Sequence, residues 1–300
     1  EPLTDERIET DSTYDAGTTT QLMWGARSDV GCVRPHNEDS YLVQSPLFCV
    51  CDGMGGHAAG EVASSIAVET IAKTAPQSAD AARLAAAVEA ANAAVIEAAL
   101  NGLGKPGMGC TATCAYIEND TLAIAHVGDS RAYLLHEGTL IRVTRDHSYV
   151  EELVDAGEIT ADEARVHPNR SVITRALGSD PAMYADHFTL HIEEGDRLIL
   201  CSDGLSSMIP DSDIENIATQ SSSAQICVDN LVDAALAAGG HDNVTVVVVD
   251  LVDDGVMREA KRVRRRNVTI ATVLALVFVL VAGIWAYTVS YTHLRPHETG

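Results

Sequence analysis

Residues 268–289 run for 22 positions without a charged side chain. A helix of that length measures roughly 33 Å, against about 30 Å for the hydrocarbon core of a bilayer. In lipid such a stretch must satisfy its own backbone, so it reads as a helix. A core helix of a soluble domain is the competing reading, but such helices rarely lack every charge over this length. Directly before it, residues 258–266 hold six Lys or Arg and one Glu. That flank predicts a cytosolic location for the chain preceding it. Trp285 and Tyr287 stand near the far end, where aromatic rings suit the membrane interface. A basic run also suits nucleic acid, but 14 Lys and Arg face 42 Asp and Glu elsewhere, and the net charge is −23. A phosphate backbone is repelled by such a surface, so no nucleic-acid partner is expected.

The chain divides accordingly. Residues 1–20 are acidic and polar and are expected to form a flexible extension. Residues 21–252 have the texture of a folded domain, 253–267 of a basic juxtamembrane linker, and 268–289 of a single transmembrane helix. The tail at 290–300, SYTHLRPHETG, resembles translated adapter sequence and is given no function. Within the domain, apolar runs at 47–51, 110–117, 121–127, 131–135, 140–143, 197–201 and 244–250 predict strands. Ala-rich stretches at 59–73 and 79–100, and a further one at 224–238, predict helices. Short strands beside long helices indicate an α+β class. With aromatics at 4%, the core must be built from Ala, Val, Ile and Leu. The seven cysteines have no compact pairing pattern and read as reduced thiols, with Cys49 and Cys51 buried.

Several strands end on an acid. Asp52-Gly53 follows the first run, Asp203-Gly204 follows 197–201, Asp242-Asn243 leads into 244–250, and Asp129 follows 121–127. One Asp-Gly pair is usually a turn. Repeated at strand ends, such carboxylates on rigid supports suit hard cations with oxygen ligands, and two cations close together can activate water against a phosphoryl group.

The order of motifs carries more. Arg34-Pro-His-Asn-Glu38-Asp39, Asp52-Gly-Met-Gly-Gly56, Gly109-Cys-Thr111, Gly128-Asp-Ser-Arg131, Asp146-His-Ser148, Thr174-Arg-Ala-Leu-Gly178, Ser202-Asp-Gly204 and Asp242-Asn243 occur in sequence over some 230 residues. In this the chain resembles the metal-dependent Ser/Thr protein phosphatases of the type 2C class, in their bacterial, membrane-anchored form. The resemblance implies a central antiparallel β-sandwich flanked by helices in α-β-β-α layers. It implies hydrolysis of phosphoserine and phosphothreonine on proteins by a dinuclear Mn2+ or Mg2+ centre, with a metal-bridging water as nucleophile. Asp52 would bridge the two ions and the Gly53 carbonyl would bind one. Asp203 and Asp242 would complete the ligands, and Asp129 with Asp203 would hold a third ion. Glu38, Asp39 and Asn243 would support from behind, and Arg34 would bind the substrate phosphate.

Other residues stay open. His57 is a candidate general acid, with a structural place at a helix start as the competing role. Arg131 and Arg175 read as structural ion-pair residues. His36, His126, His147 and His241 are not expected to be ligands. The polar stretch 147–173 corresponds to a flap beside the site. Two rival functions remain: a catalytically inactive scaffold, and a phosphatase of an anti-sigma-factor antagonist. The anchor points to substrates at the membrane, among them a membrane Ser/Thr kinase and its targets.

Overall fold

The computed structural model describes residues 12–18, 22–56, 59–252 and 254–293. It forms two compact units that meet in sequence at 252–253.

The apolar runs are continuous because their strands are covered on both faces. In β4 (Leu47–Met54), Phe48 and Val50 point to one core and Leu47, Cys49 and Cys51 to another. In β12 (Val244–Leu251), Val247 and Val249 point inward between the sheets, and Val244, Val246 and Val248 point outward under helices. One sheet has the order β1 (Ser12–Thr18), β2 (Leu22–Asp29), β12, β11 (Arg197–Cys201), β8 (Arg131–His136), β9 (Thr139–Arg142). The other runs β10 (Asp186–His191), β7 (Thr121–Val127), β6 (Ala112–Glu118), β4, β3 (Asp39–Gln44), with β5 (Gly109–Cys110) added to β4. All pairings are antiparallel. The sheets face each other across a core of Ala26, Phe48, Val50, Ile124, Leu198, Leu200 and Val247.

Helices α1 (Ala59–Thr74) and α2 (Ala81–Leu100) cover the second sheet. Their buried faces are rich in alanine (Ala63, Ala67, Ala85, Ala91), which lets helix and sheet approach closely, while Ile71, Leu84, Val88 and Val95 fill the volume. Helices α6 (Asp211–Gln220) and α7 (Ala224–Ala237) cover the first sheet, where Val228, Leu231 and Val232 meet Ile199 and Val248. Removing one such buried Leu or Ile down to Ala typically costs about 2–5 kcal/mol. Short α5 (Asp203–Ser206) follows β11, and α3 (Tyr149–Asp155) and α4 (Ala161–Val166) lie in the excursion between β9 and β10. The layers are thus helix, sheet, sheet, helix, as expected, and the expected strands and helices lie close to their predicted limits. Cys49 and Cys51 are buried free thiols, as are Cys110, Cys114, Cys201 and Cys227; Cys32 is free and exposed.

Two expectations change. Residues 12–18 are not part of a flexible extension: they form edge strand β1, paired with β2 from Ser12 opposite Asp29 to Thr18 opposite Met23. The strand is held by this seven-residue ladder, and the Arg27 guanidinium, 5.2 Å from the centre of the Tyr14 ring, adds a cross-strand contact. The rest of 1–20 lies outside the described residues. Nor is 253–267 a linker distinct from the span, because α8 (Asp254–His293) is one continuous helix. Its stretch Arg262–Ile284, in which an 18-residue window has mean hydropathy 2.5, is long and apolar enough to cross a membrane. The proposed tail lies outside the described residues from 294 onward.

A buried histidine offers a check on the packing. His126, on β7, shares Nδ1 with Thr113 Oγ1 at 3.0 Å, and its Nε2 donates to Arg145 O at 2.9 Å. Burial, helped by the neighbouring His147, lowers its pKa from 6.5 to about 4. A lowered histidine pKa contributes stability that is fully present above the unfolded value near 6.5. That stability is lost as pH falls towards 4, because the unfolded chain then binds the extra proton. The expected loss is about 3 kcal/mol at most across that window. Imidazole NMR titration should find His126 neutral at pH 5.5; a midpoint above 6 would contradict this burial.

Candidate metal centre

Five carboxylates gather at one end of the sandwich because the strands that carry them end or begin there. Asp52 lies near the end of β4 and faces Asp39, the first residue of β3, across the ladder. Asp129 comes two residues after β7, Asp203 opens α5 two residues after β11, and Asp242 comes two residues before β12. Close backbone approach sets their spacing. A Cβ on Gly204 would sit 1.9 Å from Asn243 O, and one on Gly53 would sit 2.1 Å from Gly60 O. Only glycine fits at either place, which explains why the acids are followed by Gly. Thr111 pins Asp52 at two points: its N–H donates to Asp52 O, and its Oγ1 accepts the Asp52 N–H, both at 2.9 Å.

Oxygens of Asp52, Asp129 and Asp203 all lie within 4.8 Å of one another. Burial, reinforced by Asp39, Asp203 and Asp129, pushes the Asp52 carboxyl well above its ordinary range. Burial and then Asp203 do the same to Asp129. Asp203 is raised mainly by burial, with Asp242 adding to it. Asp39 rises to about 7, through burial and the charges of Asp203 and Asp242, against the hydrogen bond from Thr245. One oxygen each of Asp39, Asp129 and Asp203 is buried without a hydrogen-bond partner among the described residues. Buried acceptors left unpaired are costly, and converging carboxylate oxygens are the donor set of a hard divalent cation. The residues present therefore fit Mn2+ or Mg2+.

Asp242 stands outside that group of three. Its Oδ2 accepts from Arg34 Nη2 at 3.1 Å and its Oδ1 accepts the Asn243 N–H at 2.8 Å. Asn243 ties down the loop that carries Arg34. Its Nδ2 donates to Val30 O and His36 O, and its Oδ1 accepts the Glu38 N–H, all at 2.9 Å. Glu38 O in turn accepts the Gly53 N–H at 3.1 Å. Asp39 ends a chain of hydroxyls: Asn37 Nδ2 donates to Ser28 Oγ, Ser28 to Thr245 Oγ1, and Thr245 to Asp39 Oδ2 at 2.6 Å. Thr111, Ser28 and Thr245 were not singled out for this role by sequence reading. Thr245 alone carried a local signal, as a hydroxyl residue on the otherwise apolar start of β12.

A cleft of about 460 Å3 opens from Asp129, Asp203, Asp242 and Arg34 towards the 149–172 excursion. Arg131 forms a two-pronged ion pair with Asp146, with Nε 2.9 Å and Nη2 2.7 Å from its oxygens. Arg175 donates to Asp186 at 2.6 Å. Both are ion-pair residues, as the sequence suggested. His126 and His147 are hydrogen-bonded to neighbouring backbone and, among the described residues, belong to no cluster of ligand atoms. His57 lies outside the described residues.

This arrangement has close relatives. Residues 26–244 match the family model described as Protein phosphatase 2C. The chain belongs to that family. Over 244 residues it is 43% identical to the serine/threonine protein phosphatase PstP of Mycobacterium tuberculosis, covering 79% of this chain and 46% of that protein. The chain thus spans under half the length of that relative. It is 37% identical over 236 residues to a serine/threonine phosphatase stp of Listeria welshimeri, covering 75% of this chain and 94% of that one. Among solved structures, the catalytic domain of PstP in complex with two manganese ions superposes with a TM-score of 0.72 at 40% identity, over 78% of this chain and 99% of that one.

Because the clustered 2C-family carboxylates repel one another without a cation, removing one charge should stabilise the metal-free protein. Asp129→Asn is expected to raise the melting temperature in EDTA at pH 7.5 by a few degrees, equivalent to about 1–2 kcal/mol. The gain should shrink as pH falls towards 4, because burial and the charge of Asp203 make the Asp129 carboxyl take up its proton more readily than an ordinary carboxylate. Differential scanning calorimetry at the two pH values checks it; a lower melting temperature at pH 7.5 would contradict the repulsion.

Proposed function

We propose that this chain hydrolyses phosphoserine and phosphothreonine on proteins, with Mn2+ or Mg2+ held by Asp52, Asp203, Asp242 and the Gly53 carbonyl, and a further ion by Asp129 with Asp203. The observation that carries the reading is the convergence of buried, unpaired carboxylate oxygens at the head of a cleft that Arg34 also lines. Bound divalent cations would cancel the carboxylate charge that otherwise repels a phosphate dianion, supply an activated water and clamp phosphoryl oxygens.

The chain's own residues do the rest. Arg34 offers a planar fork suited to phosphate. It rests on Asp242, but with side chains 53% and 31% exposed that ion pair is worth about 1 kcal/mol or less. The guanidinium can therefore exchange Asp242 for a substrate phosphate at small cost. Asn243 holds the Arg34 loop against β12, and the Asn37–Ser28–Thr245 relay orients Asp39. Thr111 fixes the Asp52 backbone, so the point from which its carboxylate projects is set before binding, which is the basis of electrostatic preorganisation. The acidic centre and full carboxylate set favour an enzyme over an inactive scaffold.

The placement of the domain belongs to the same proposal. Residues 21–252, together with strand β1, form the catalytic domain. The basic segment within 253–267 lies on the cytosolic side, and 268–289 spans the membrane once. Substrates are phosphoproteins, and a membrane Ser/Thr kinase with its targets is the class that such an anchor would bring within reach.

Two outcomes test the chemistry. EDTA should abolish hydrolysis of a phosphothreonine peptide and Mn2+ should restore it. Asp203→Asn should lower kcat at least about a hundredfold, near 3 kcal/mol of barrier, whereas Arg34→Ala should respond to Mn2+ normally and raise KM. Full activity in metal-stripped protein, or near-normal turnover of Asp203→Asn at modest Mn2+, would overturn the reading. For topology, protease added outside wall-stripped cells should leave residues 12–252 uncut, and their digestion would reverse the orientation.

A further inference from the structure

His147 makes more directed contacts than a packing residue needs. Its side chain is 3% exposed. Its backbone N–H donates to Gly128 O at 2.8 Å, and the Gly128 N–H donates back to His147 Nδ1 at 2.9 Å. Nδ1 is therefore an acceptor, the ring hydrogen is on Nε2, and Nε2 donates to Asp186 Oδ2 at 2.8 Å. The other Asp186 oxygen accepts Arg175 Nη1, and Arg175 stacks 4.2 Å from the centre of the Tyr184 ring. Burial holds the His147 pKa below its ordinary value even beside Asp186, which keeps Nδ1 free to accept.

Gly128 stands directly before Asp129. Its φ is +106°, and a Cβ there would lie 2.5 Å from Thr111 Cγ2. It is held between Thr111, which also fixes Asp52, and the His147 ring. His147 is at the same time the root of the excursion over the cleft. Its carbonyl accepts the Thr174 N–H at 2.9 Å, Ser148 bridges to Ile173, and the Tyr149 N–H donates to Val172 O at 2.9 Å. Both ends of the 149–172 segment therefore meet at the residue that clamps Gly128.

We propose that His147 is a positioning residue for Asp129: Nδ1 fixes the turn that aims the Asp129 carboxylate at Asp52 and Asp203, and the same residue transmits displacement of the 149–172 segment to that carboxylate. In its catalytic consequence the proposal rests on the phosphatase reading; in its structural core it does not.

The two ring nitrogens can be separated by substitution. His147→Asn places Oδ1 where Nδ1 stands, keeping the acceptor for Gly128 and losing the bond to Asp186. His147→Gln places an amide near Nε2, keeping Asp186 and losing Gly128. Hydrogen–deuterium exchange of metal-free full-length protein should show the 127–130 amides exchanging at least about tenfold faster in the Gln variant and close to wild type in the Asn variant. On a phosphothreonine peptide, the Gln variant should lose about tenfold or more in kcat with little change in KM and should need more Mn2+ for half-maximal rate. The Asn variant should keep kcat within about threefold. Equal exchange in the two variants, or a larger defect in Asn than in Gln, would overturn the proposal. If neither variant folds, a scalar coupling across the hydrogen bond between the Gly128 amide and His147 Nδ1 in the wild-type protein decides: its presence supports the clamp and its absence removes it. If wild type shows no phosphatase activity, the functional reading fails while the exchange comparison still judges His147.

Discussion

Mutual repulsion among buried carboxylates is the constraint on which the rest of this structure depends. Asp39, Asp52, Asp129 and Asp203 share a desolvated end of the sandwich, and each is pushed upward in pKa by burial and by one or more of the others or nearby acids. Left to themselves such groups would spread apart. They do not, because the backbone beneath them cannot move: Gly53 and Gly204 are in near contact with neighbouring main chain, and Thr111 and Thr245 hold Asp52 and Asp39 by hydrogen bonds. Strain of this kind is characteristic of sites whose stability is completed by a ligand.

The sandwich supplies the rigidity. Strands buried on both faces cannot slip by one residue without exchanging one apolar core for the other, so their register is strongly fixed. In β11, Leu198 and Leu200 serve the inner core and Ile199 and Cys201 the outer one, and Asp203 inherits its position from that registration. The same holds for Asp52 at the end of β4. Asn243 converts the rigidity of β12 into a fixed position for the 30–38 loop and hence for Arg34, an effect that reaches across more than two hundred residues of sequence through three hydrogen bonds.

Much of this was legible in the sequence, and the reason is physical. Central strands such as 47–51, 197–201 and 244–250 are wholly apolar because both faces are covered, and the acids at their ends stand out against that background. The elements that went unread are those whose signals are diluted. Strand β2 contains Gly25, Arg27 and Asp29, and β3 and β10 mix polar and apolar residues because they lie at sheet edges or near them. Strand β1 reads as an extension because its composition is polar and its pairing with β2, including Tyr14 on Arg27, is not visible in local pattern. The carboxylates were found by motif, but the hydroxyl relay behind Asp39 and the His147 clamp on Gly128 depend on pairings between distant strands that no local spacing encodes.

Charge distribution adds a further condition. Under the proposed function, a chain of net charge −23 works against its own field. At physiological salt that field decays over about 8 Å, so what matters is the sign of the charge close to the reacting group. Six of the chain's twenty Lys and Arg lie in the basic segment at 258–266, and five arginines, Arg34, Arg131, Arg142, Arg165 and Arg170, line the cleft. Arg131 and Arg142 are bound to Asp146 and Glu151, while Arg165 bonds to the carbonyls of Ser206 and Ile209. Arg34 lies on an acid it can release cheaply. Against those five arginines the lining sets seven carboxylates, Asp129, Asp146, Glu151, Asp162, Asp203, Asp211 and Asp242, so the cleft shares the acidity of the molecule and depends on bound cations to receive a phosphate. Any substrate phosphate that enters has few alternative resting places, which favours productive placement beside the carboxylate cluster once cations are present there.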